Sequence, residues 1–575
     1  MINVENLVRD NFPDGSVKKY FSAPLVHWLR WLFHEKEFQK FGRTYKDSRG
    51  IEFVRDTLNY FDFQHTVDNT SLANIPRQGR VILVANHPIG SLDGLSLLQL
   101  IHSIRPDVKI VANQVLSKLG PLAPVILPVD NMGRNTARMQ FKAIQKHLQA
   151  EGAIIVFPSG VVSRWSKQGI ADCNWRSGFL RFSQSCRAPI VPIHIQGRCS
   201  TFFYALSLIA KKVSTLWLVP EMFKQRGKTI RFTIGQIIPC KAYEELGLKA
   251  DELIARFRAQ VYGLPSNQEG LFRSLEPLAK AEDPQEIESE LKQSIHLGQT
   301  NDGKHIYLLD YFEDSKTVAE LGRLRELTFR MVEEGTGKSR DLDKYDTYYQ
   351  HLILWDPHTR EIVGAYRICD TSNILETHGT GGLYSSQVYR YSDAMTPFFQ
   401  KGMELGRSFV QPKYWGKRSL DYLWYGIGAL LVQNTKYRYL FGAVSISDGY
   451  PKEAKDLIIH FYTTHFPPEQ NVVEALYPYT ISQDKKTELK KAFPGIDYTT
   501  EFCQLKTRLK KMGCAIPTLF KQYADLGEPG GVSICSSGLD ITFSNVVDGF
   551  VMVDTWKLKE SKRDRYLQTS VSARA

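Results

Sequence analysis

None of the chain's eight cysteines belongs to a Cys-x-x-Cys pair; they stand singly at 173, 186, 199, 240, 369, 503, 514 and 535. That argues against a zinc ribbon or a dithiol redox motif and fits reduced thiols in a cytoplasmic protein. Long apolar runs are also missing. No segment reaches the roughly 18 uninterrupted apolar residues of a spanning helix. The opening stretch MINVENLVRDNFPDGS is acidic and polar, the reverse of a secretory leader. There is no polybasic run, zinc finger or RNA-binding aromatic signature, so nucleic acid is not an expected partner. Gly-x-Ser-x-Gly and His-Glu-x-x-His are absent, which removes the serine lipases and zinc proteases, and no metal site is expected. Internal repeats and low-complexity segments are lacking as well.

What is present is a globular composition, 43% hydrophobic and 23% charged. Its 575 residues exceed one ordinary core, so at least two domains are expected. The formal charge of +12 favours anionic partners, here a membrane surface or an acidic protein. Two segments mix aromatics with cations. SAPLVHWLRWLF carries Leu25, Trp28, Leu29, Trp31, Leu32 and Phe33 beside His27 and Arg30. TFFYALSLIAKKVSTLWLVPEMF has an apolar run, then Lys211 and Lys212, then Trp217. Either is an interfacial helix, rings at headgroup level and cations on lipid phosphate, or a buried helix of a large core.

From 81 to 240, VILVA, VKIVA, AIIVF, PIVPIHI and IRFTIGQII read as strands, with helices between them at LDGLSLLQLIHSI and NTARMQFKAIQKHLQA. That alternation predicts an α/β domain with a largely parallel sheet. Residues 276–304 are polar without a strand signal and read as a helical connector ending in a loop. A second pattern begins at HIYLLDYF. The expected division is a domain over 1–265, a linker over 266–304 and an α+β domain over 305–575.

In VILVANHPIGSLDG a buried strand ends on Asn86-His87-Pro88, and a helix is re-entered past Gly90. His87 stands where α/β sheets place their ligands, just beyond a strand's carboxyl end. Ser91 is the expected helix cap, and Asp93, in the first turn, can reach back to the imidazole. A carboxylate on one ring nitrogen fixes the tautomer and leaves the other nitrogen as a base. Taken alone, the pair reads more readily as a capping aspartate and an exposed histidine. It is followed in order by VDNMGR at 129–134, FPSGVVSR at 157–164 and VP at 191–192. This series resembles the glycerolipid (lysophospholipid-type) acyltransferase family over about 60–240. The resemblance implies that His87 deprotonates an acceptor hydroxyl, that Asp93 orients it, and that the alkoxide attacks an acyl thioester directly. It further implies acceptor binding by Asn86, Gly90, Arg134, Phe157, Pro158, Ser159, Gly160, Ser163 and Arg164. Two departures stand out: five residues, PIGSL, separate His from Asp where the family has four, and Ser159 replaces the family's glutamate.

The second candidate is ELGRSFVQP. A lone Glu404-x-x-Arg407 is most simply a salt bridge. It is joined, however, by Arg325 and Phe329 on one helix face, Asp343 and Asp346 in LDKYD, Arg367 on a strand, and Phe409 and Val410. The series resembles the N-acyltransferase branch of the GNAT fold over about 305–560. IPTLFKQYADLG and FSNVVDGFVMVD are similar to the ornithine-lipid rather than the lactone-synthase members. The resemblance implies that Glu404 takes the proton of the amine and that VQPKYWGKRS holds phosphopantetheine at a helix N-terminus. It also implies that Asp343, Asp346, Arg325 and Arg367 meet the amine, a carboxylate or the carrier.

Joined, the halves resemble the two-domain bacterial ornithine-lipid synthases. The implied function is N-acylation of the ornithine α-amine with a 3-hydroxyacyl chain, then O-acylation of the new hydroxyl. Acyl carrier protein is the implied donor and partner, with no bound cofactor. The expected location is cytoplasmic, peripheral on the inner face of the membrane. The rival readings are a glycine or glutamine lipid synthase, a lysophospholipid acyltransferase with a degenerate partner domain, and a non-catalytic membrane-docking protein. GTGKS at 335–339 is not a phosphate loop: Val332 stands where its first glycine belongs, and the segment follows a helix.

Overall fold

The computed structural model describes residues 34–568 apart from 114–119, 130–133, 167–168, 211–213, 216, 267–269, 542 and 544–545, together with positions 27 and 30–32. The chain forms two compact units, Met1–Pro277 and Leu278–Ala575.

The first unit contains strands β1 (Gln64–Val67), β2 (Val81–Ala85), β3 (Lys109–Asn113), β4 (Ile126–Val129), β5 (Ala153–Val156), β6 (Arg164–Ser166), β7 (Gly169–Ala171), β8 (Ile190–Gln196) and β9 (Thr229–Ile234). Seven of them make a sheet in the order β1-β9-β8-β2-β5-β3-β4. Every neighbouring pair is parallel except β8 with β9. β2 shows why its sequence is apolar throughout. Val81, Leu83 and Ala85 pack in one core with helix Ser91–His102, and Ile82 and Val84 in another with helices Arg134–Gln149 and Gly178–Cys186. Successive side chains alternate between faces, and both faces are covered, so no polar position survives. β6 and β7 form a separate hairpin that the sequence does not announce.

The second unit contains β10 (Ile295–Gln299), β11 (His305–Leu309), β12 (Gln350–Asp356), β13 (Glu361–Asp370), β14 (Tyr389–Tyr391), β15 (Gly402–Val410), β16 (Tyr439–Ile446), β17 (Val473–Ala475), β18 (Val532–Asp540) and β19 (Val546–Asp554). Eight form a sheet ordered β10-β11-β12-β13-β15-β16-β19-β18. The stretch expected as a linker is only partly one. It holds helix Pro284–Lys292 and the edge strand β10, which pairs with β11. β10 escapes the pattern because Ile295 and His296 are exposed and Gly298 lies at a bulge, so no alternation marks the strand.

Two features of β15 shape the centre of this sheet. Against β13, Ala365 pairs with Phe409 and Arg367 with Gly406, so β15 carries one extra residue there. Arg407 absorbs it in the left-handed region, φ 45°. Against β16 the pairing is parallel and brief: Gly402 with Tyr439, Met403 with Leu440 and Glu404 with Phe441. Beyond that point the pairing of the two strands ends, and a small cavity is lined by Leu405 of β15, by Leu440, Phe441 and Gly442 of β16, and by Val551 and Val553 of β19.

Candidate functional sites in the two units

In the first unit, the turn after β2 is built around Gly90. Its φ of 118° suits a residue without Cβ, and it, not Ser91, caps helix Ser91–His102. Asp93, fully buried, then accepts the backbone N–H groups of Ile89 (2.8 Å), Gly90 (3.2 Å) and Gly94 (2.7 Å). The tight glycine turn takes up the extra residue of PIGSL. The carboxylate Oδ1 comes to 3.2 Å from His87 Nδ1, off the angle of a formal hydrogen bond but at ion-pair distance. The imidazole stacks on Phe157 with ring centroids 4.3 Å apart. Burial pushes the imidazole pKa down, yet the charges of Asp93 and Asp172 outweigh it and leave it raised.

Asp172 was not singled out by its sequence position. It accepts the His87 backbone N–H (3.1 Å), the Ser163 hydroxyl (2.6 Å) and the Trp175 indole (3.0 Å). The Ser163 N–H in turn donates to the His87 carbonyl at 2.8 Å. Ser163 thus fixes the backbone of His87. Asn86 is buried, and its carboxamide is bonded both ways to the Ile195 backbone (3.0 and 2.7 Å), tying the end of β2 to β8. Ser159 donates to the Val161 carbonyl and holds its own turn, Pro158 is buried and accepts from the Arg176 N–H, and Gly160 takes φ 64° at the surface. These residues shape the loop through backbone and turn contacts. Arg164 is different. It is 9% exposed, its Nε and one terminal nitrogen have no hydrogen-bond acceptor, and its guanidinium lies 4.4 Å from the Phe203 ring centroid. Arg134 begins helix Arg134–Gln149, and its side chain lies outside the described residues.

In the second unit, Glu404 sits on the last paired rung of β15 and β16 and is 1% exposed. It accepts from the Tyr349 and Ser385 hydroxyls and from the N–H groups of Tyr384 (3.1 Å) and Ser385 (2.8 Å). Four donors converge on one carboxylate, which ties β15 to the turn at 383–387. It does not pair with Arg407. The bulge turns Arg407 toward Asp341 (3.1 Å) and Asp343 (3.5 Å), and it donates to the Tyr384 hydroxyl at 2.8 Å. Burial opposes the charge of Arg407, but Asp341, Tyr384 and Asp343 outweigh it and raise its pKa.

Arg325, expected at the substrate, is fully buried and bonded to Asp346 at 2.6 Å. Arg367 joins Asp346 (3.1 Å) to Asp343 (2.6 Å). Burial pushes the Asp346 carboxyl up, and the two guanidinium groups hold it far below the usual carboxylate range. Phe329 and Phe409 are buried in an apolar layer beside this network, Phe329 edge-on to Phe543. Both pack within that layer. Val410 pairs with Gly364 and packs on the other core. Asp343, with a side chain 26% exposed, is the network's most open carboxylate. Asp341 and Glu334 were not singled out from the sequence, although Asp341 alternates with Asp343 on one short stretch. GTGKS forms a loop in which Thr336 and Gly337 donate to Glu326. No group of metal ligands and no membrane-spanning helix occurs among the described residues.

Residues 13–265 match the family described as Acyltransferase, and residues 324–425 the Acetyltransferase (GNAT) domain. A glycine N(alpha)-acyltransferase of Bacteroides thetaiotaomicron is 30% identical over 312 residues, 52% of this chain and 92% of the relative. A lyso-glycine lipid O-acyltransferase of the same organism is 30% identical over 252 residues, 43% of this chain and 91% of the relative. An L-ornithine N(alpha)-acyltransferase of Rhizobium meliloti is 30% identical over 136 residues, 23% of this chain and 45% of the relative. With an acyltransferase domain and a GNAT domain in one polypeptide, the chain belongs to the family of these N- and O-acyltransferases.

Proposed function

We propose that the chain makes an amino-acid lipid in two steps: the C-terminal unit joins a 3-hydroxyacyl chain to an α-amine, and the N-terminal unit then esterifies the new hydroxyl. The observation that carries this reading is the His87–Asp93 contact of 3.2 Å, in a turn that keeps the ring 19% exposed. An imidazole backed by a carboxylate takes a hydroxyl proton while the alkoxide forms the ester, and the thiolate leaves. Arg164 supports the acceptor assignment. A buried cation without a carboxylate is costly, and an anionic head group would satisfy it. The α-carboxylate of an N-acyl amino acid has that charge.

The parting of β15 and β16 suits an extended thioester arm laid between them, with unpaired strand N–H groups available to its carbonyls. VQPKYWGKRS, directly before helix Ser419–Gln433, is positioned for the arm's phosphate end. We assign acyl carrier protein as donor because the chain is strongly basic and that carrier is acidic. A peripheral membrane location is supported by Phe202, Leu208 and Ile209, exposed on helix Thr201–Ile209, and by Trp165 and Ile170, exposed and paired across β6 and β7. Most of SAPLVHWLRWLF lies outside the described residues.

Glycine is the favoured head group, since relatives named for glycine are matched over nearly their full lengths. Ornithine is the second reading, favoured by the relative named for it. Expression in a host lacking such lipids, with mass spectrometry of the extract, separates the two by head-group mass. Absence of any diacylated amino acid overturns both.

A further inference from the structure

Glu404 is the carboxylate that the resemblance implies as base, yet four donors occupy it. Another carboxylate reaches β16 beyond its last rung with β15. Glu334 follows helix Lys316–Met331, and its own N–H donates to the Phe329 carbonyl at 2.8 Å. It is 7% exposed. Its side chain accepts the Ser445 hydroxyl at 3.0 Å. Ser445 lies on β16, four residues beyond Phe441, where pairing with β15 has ceased. On the β15 side, the facing charge is Arg407. Glu334 is therefore held against β16 beyond its pairing with β15 and within reach of the charge of Arg407, and no ion pair holds it among the described residues.

We propose that Glu334 is the general base of the N-acyl transfer, taking the proton of the acceptor ammonium at the opening between β15 and β16. The inference rests on the amide-forming reading above. An ammonium has no lone pair, so it gives one proton to the Glu334 carboxylate. The free amine then attacks the thioester carbonyl, the carbon–nitrogen bond forms and the carbon–sulfur bond breaks. The nitrogen's second proton goes to the departing thiolate, leaving amide and thiol, and Glu334 releases its proton to solvent.

The surroundings suit the task. Burial pushes the Glu334 carboxyl up to about 7, against the Ser445 hydrogen bond and the charge of Arg407. Asp548 on β19 also faces it, and the Asp548 carboxyl is itself pushed well up, by burial first and then by Asp540 of β18 and Glu334. Tyr450 approaches from the loop after β16. A base titrating near the working pH is effective in both accepting and releasing a proton.

The test uses the full chain with glycine, ornithine and a 3-hydroxyacyl carrier-protein thioester, followed between about pH 5.5 and about pH 9.5. The wild type is expected to lose rate below about pH 7. Glu334→Gln, which keeps the hydrogen bond to Ser445, is expected to fall about 100-fold at neutral pH, without that limb, and to recover toward the wild type at alkaline pH as free amine accumulates. Ser445→Ala, losing a donor, moves the limb upward. Glu404→Gln is expected to lose rate at every pH, as a positioning residue does. A Glu334→Gln profile superimposed on the wild type, or equally reduced at every pH, overturns the proposal. A wild type that acylates neither amino acid overturns the underlying reading instead.

Discussion

At the scale of the residue, two histidines show opposite uses of burial. His87 is held next to Asp93 and near Asp172, and its pKa is raised. As a base it works unprotonated, so ester formation is expected to fall as pH drops through that raised value. Asp93→Asn is expected to cut O-acyl transfer by about 100-fold or more and to move the acid limb to lower pH, because the charge that favoured the imidazolium is gone. The pH profile of esterification on a supplied N-(3-hydroxyacyl) amino acid measures both. His351 is the reverse case. Burial first, then the charge of Arg325, push it down to about 3, and Arg325 lies against its Nδ1 at 3.2 Å. The unfolded chain binds a proton near the ordinary value of 6.5 while the folded chain refuses it. Stability from this residue is therefore complete above pH 6.5 and lost as pH falls toward 3, at no more than about 1.4 kcal/mol per pH unit. Urea midpoints at neutral and mildly acidic pH, compared with those of His351→Asn, check the slope: the variant's midpoint should depend less on pH.

At the scale of the element, the bulge at Arg407 and the short rung between β15 and β16 set the geometry of the second site. Gly442 is where the strands approach before parting: a Cβ there would fall 2.1 Å from the Leu405 carbonyl oxygen. Gly442→Ala is expected to cost about 1–3 kcal/mol and to depress amide formation, with esterification of a supplied intermediate retained. Calorimetry and separate assays of the two reactions test this. The elements also show what a sequence discloses. β2 is legible to the residue because a fully covered strand leaves an unbroken apolar run. β6, β7, β14 and β17 are three residues each and owe their form to a partner strand, which no local pattern records. His87 and Asp93 could be paired on paper because one turn joins them. Asp172 reaches His87 across 85 positions, and Glu334 reaches Ser445 across 111, so only the folded chain brings them together. The burial of Arg325, Asp346, Phe329 and Phe409 is hidden in the same way, since it depends on packing partners that no local pattern shows.

At the scale of the whole molecule, the two-step reading orders the products. His87→Ala is expected to accumulate the mono-acylated amide, since only the ester step is removed. Glu404→Ala is expected to abolish both products, because releasing the turn at 383–387 disables the first reaction and starves the second. Feeding the N-(3-hydroxyacyl) amino acid to the Glu404→Ala protein should restore ester formation. Mass spectrometry of lipids from the wild type and both variants checks this. Full diacylated lipid from His87→Ala refutes the division of labour.

The early separation of β15 from β16 has a further consequence. Backbone amides of β16 that point into the gap have no strand to shield them, so deuterium should enter them quickly in the resting protein. An acyl arm lodged there would serve as a missing strand and slow that labelling, while β2 in the other half would keep its own protection unchanged. Exchange at a handful of amides would thus report donor occupancy without any catalytic turnover.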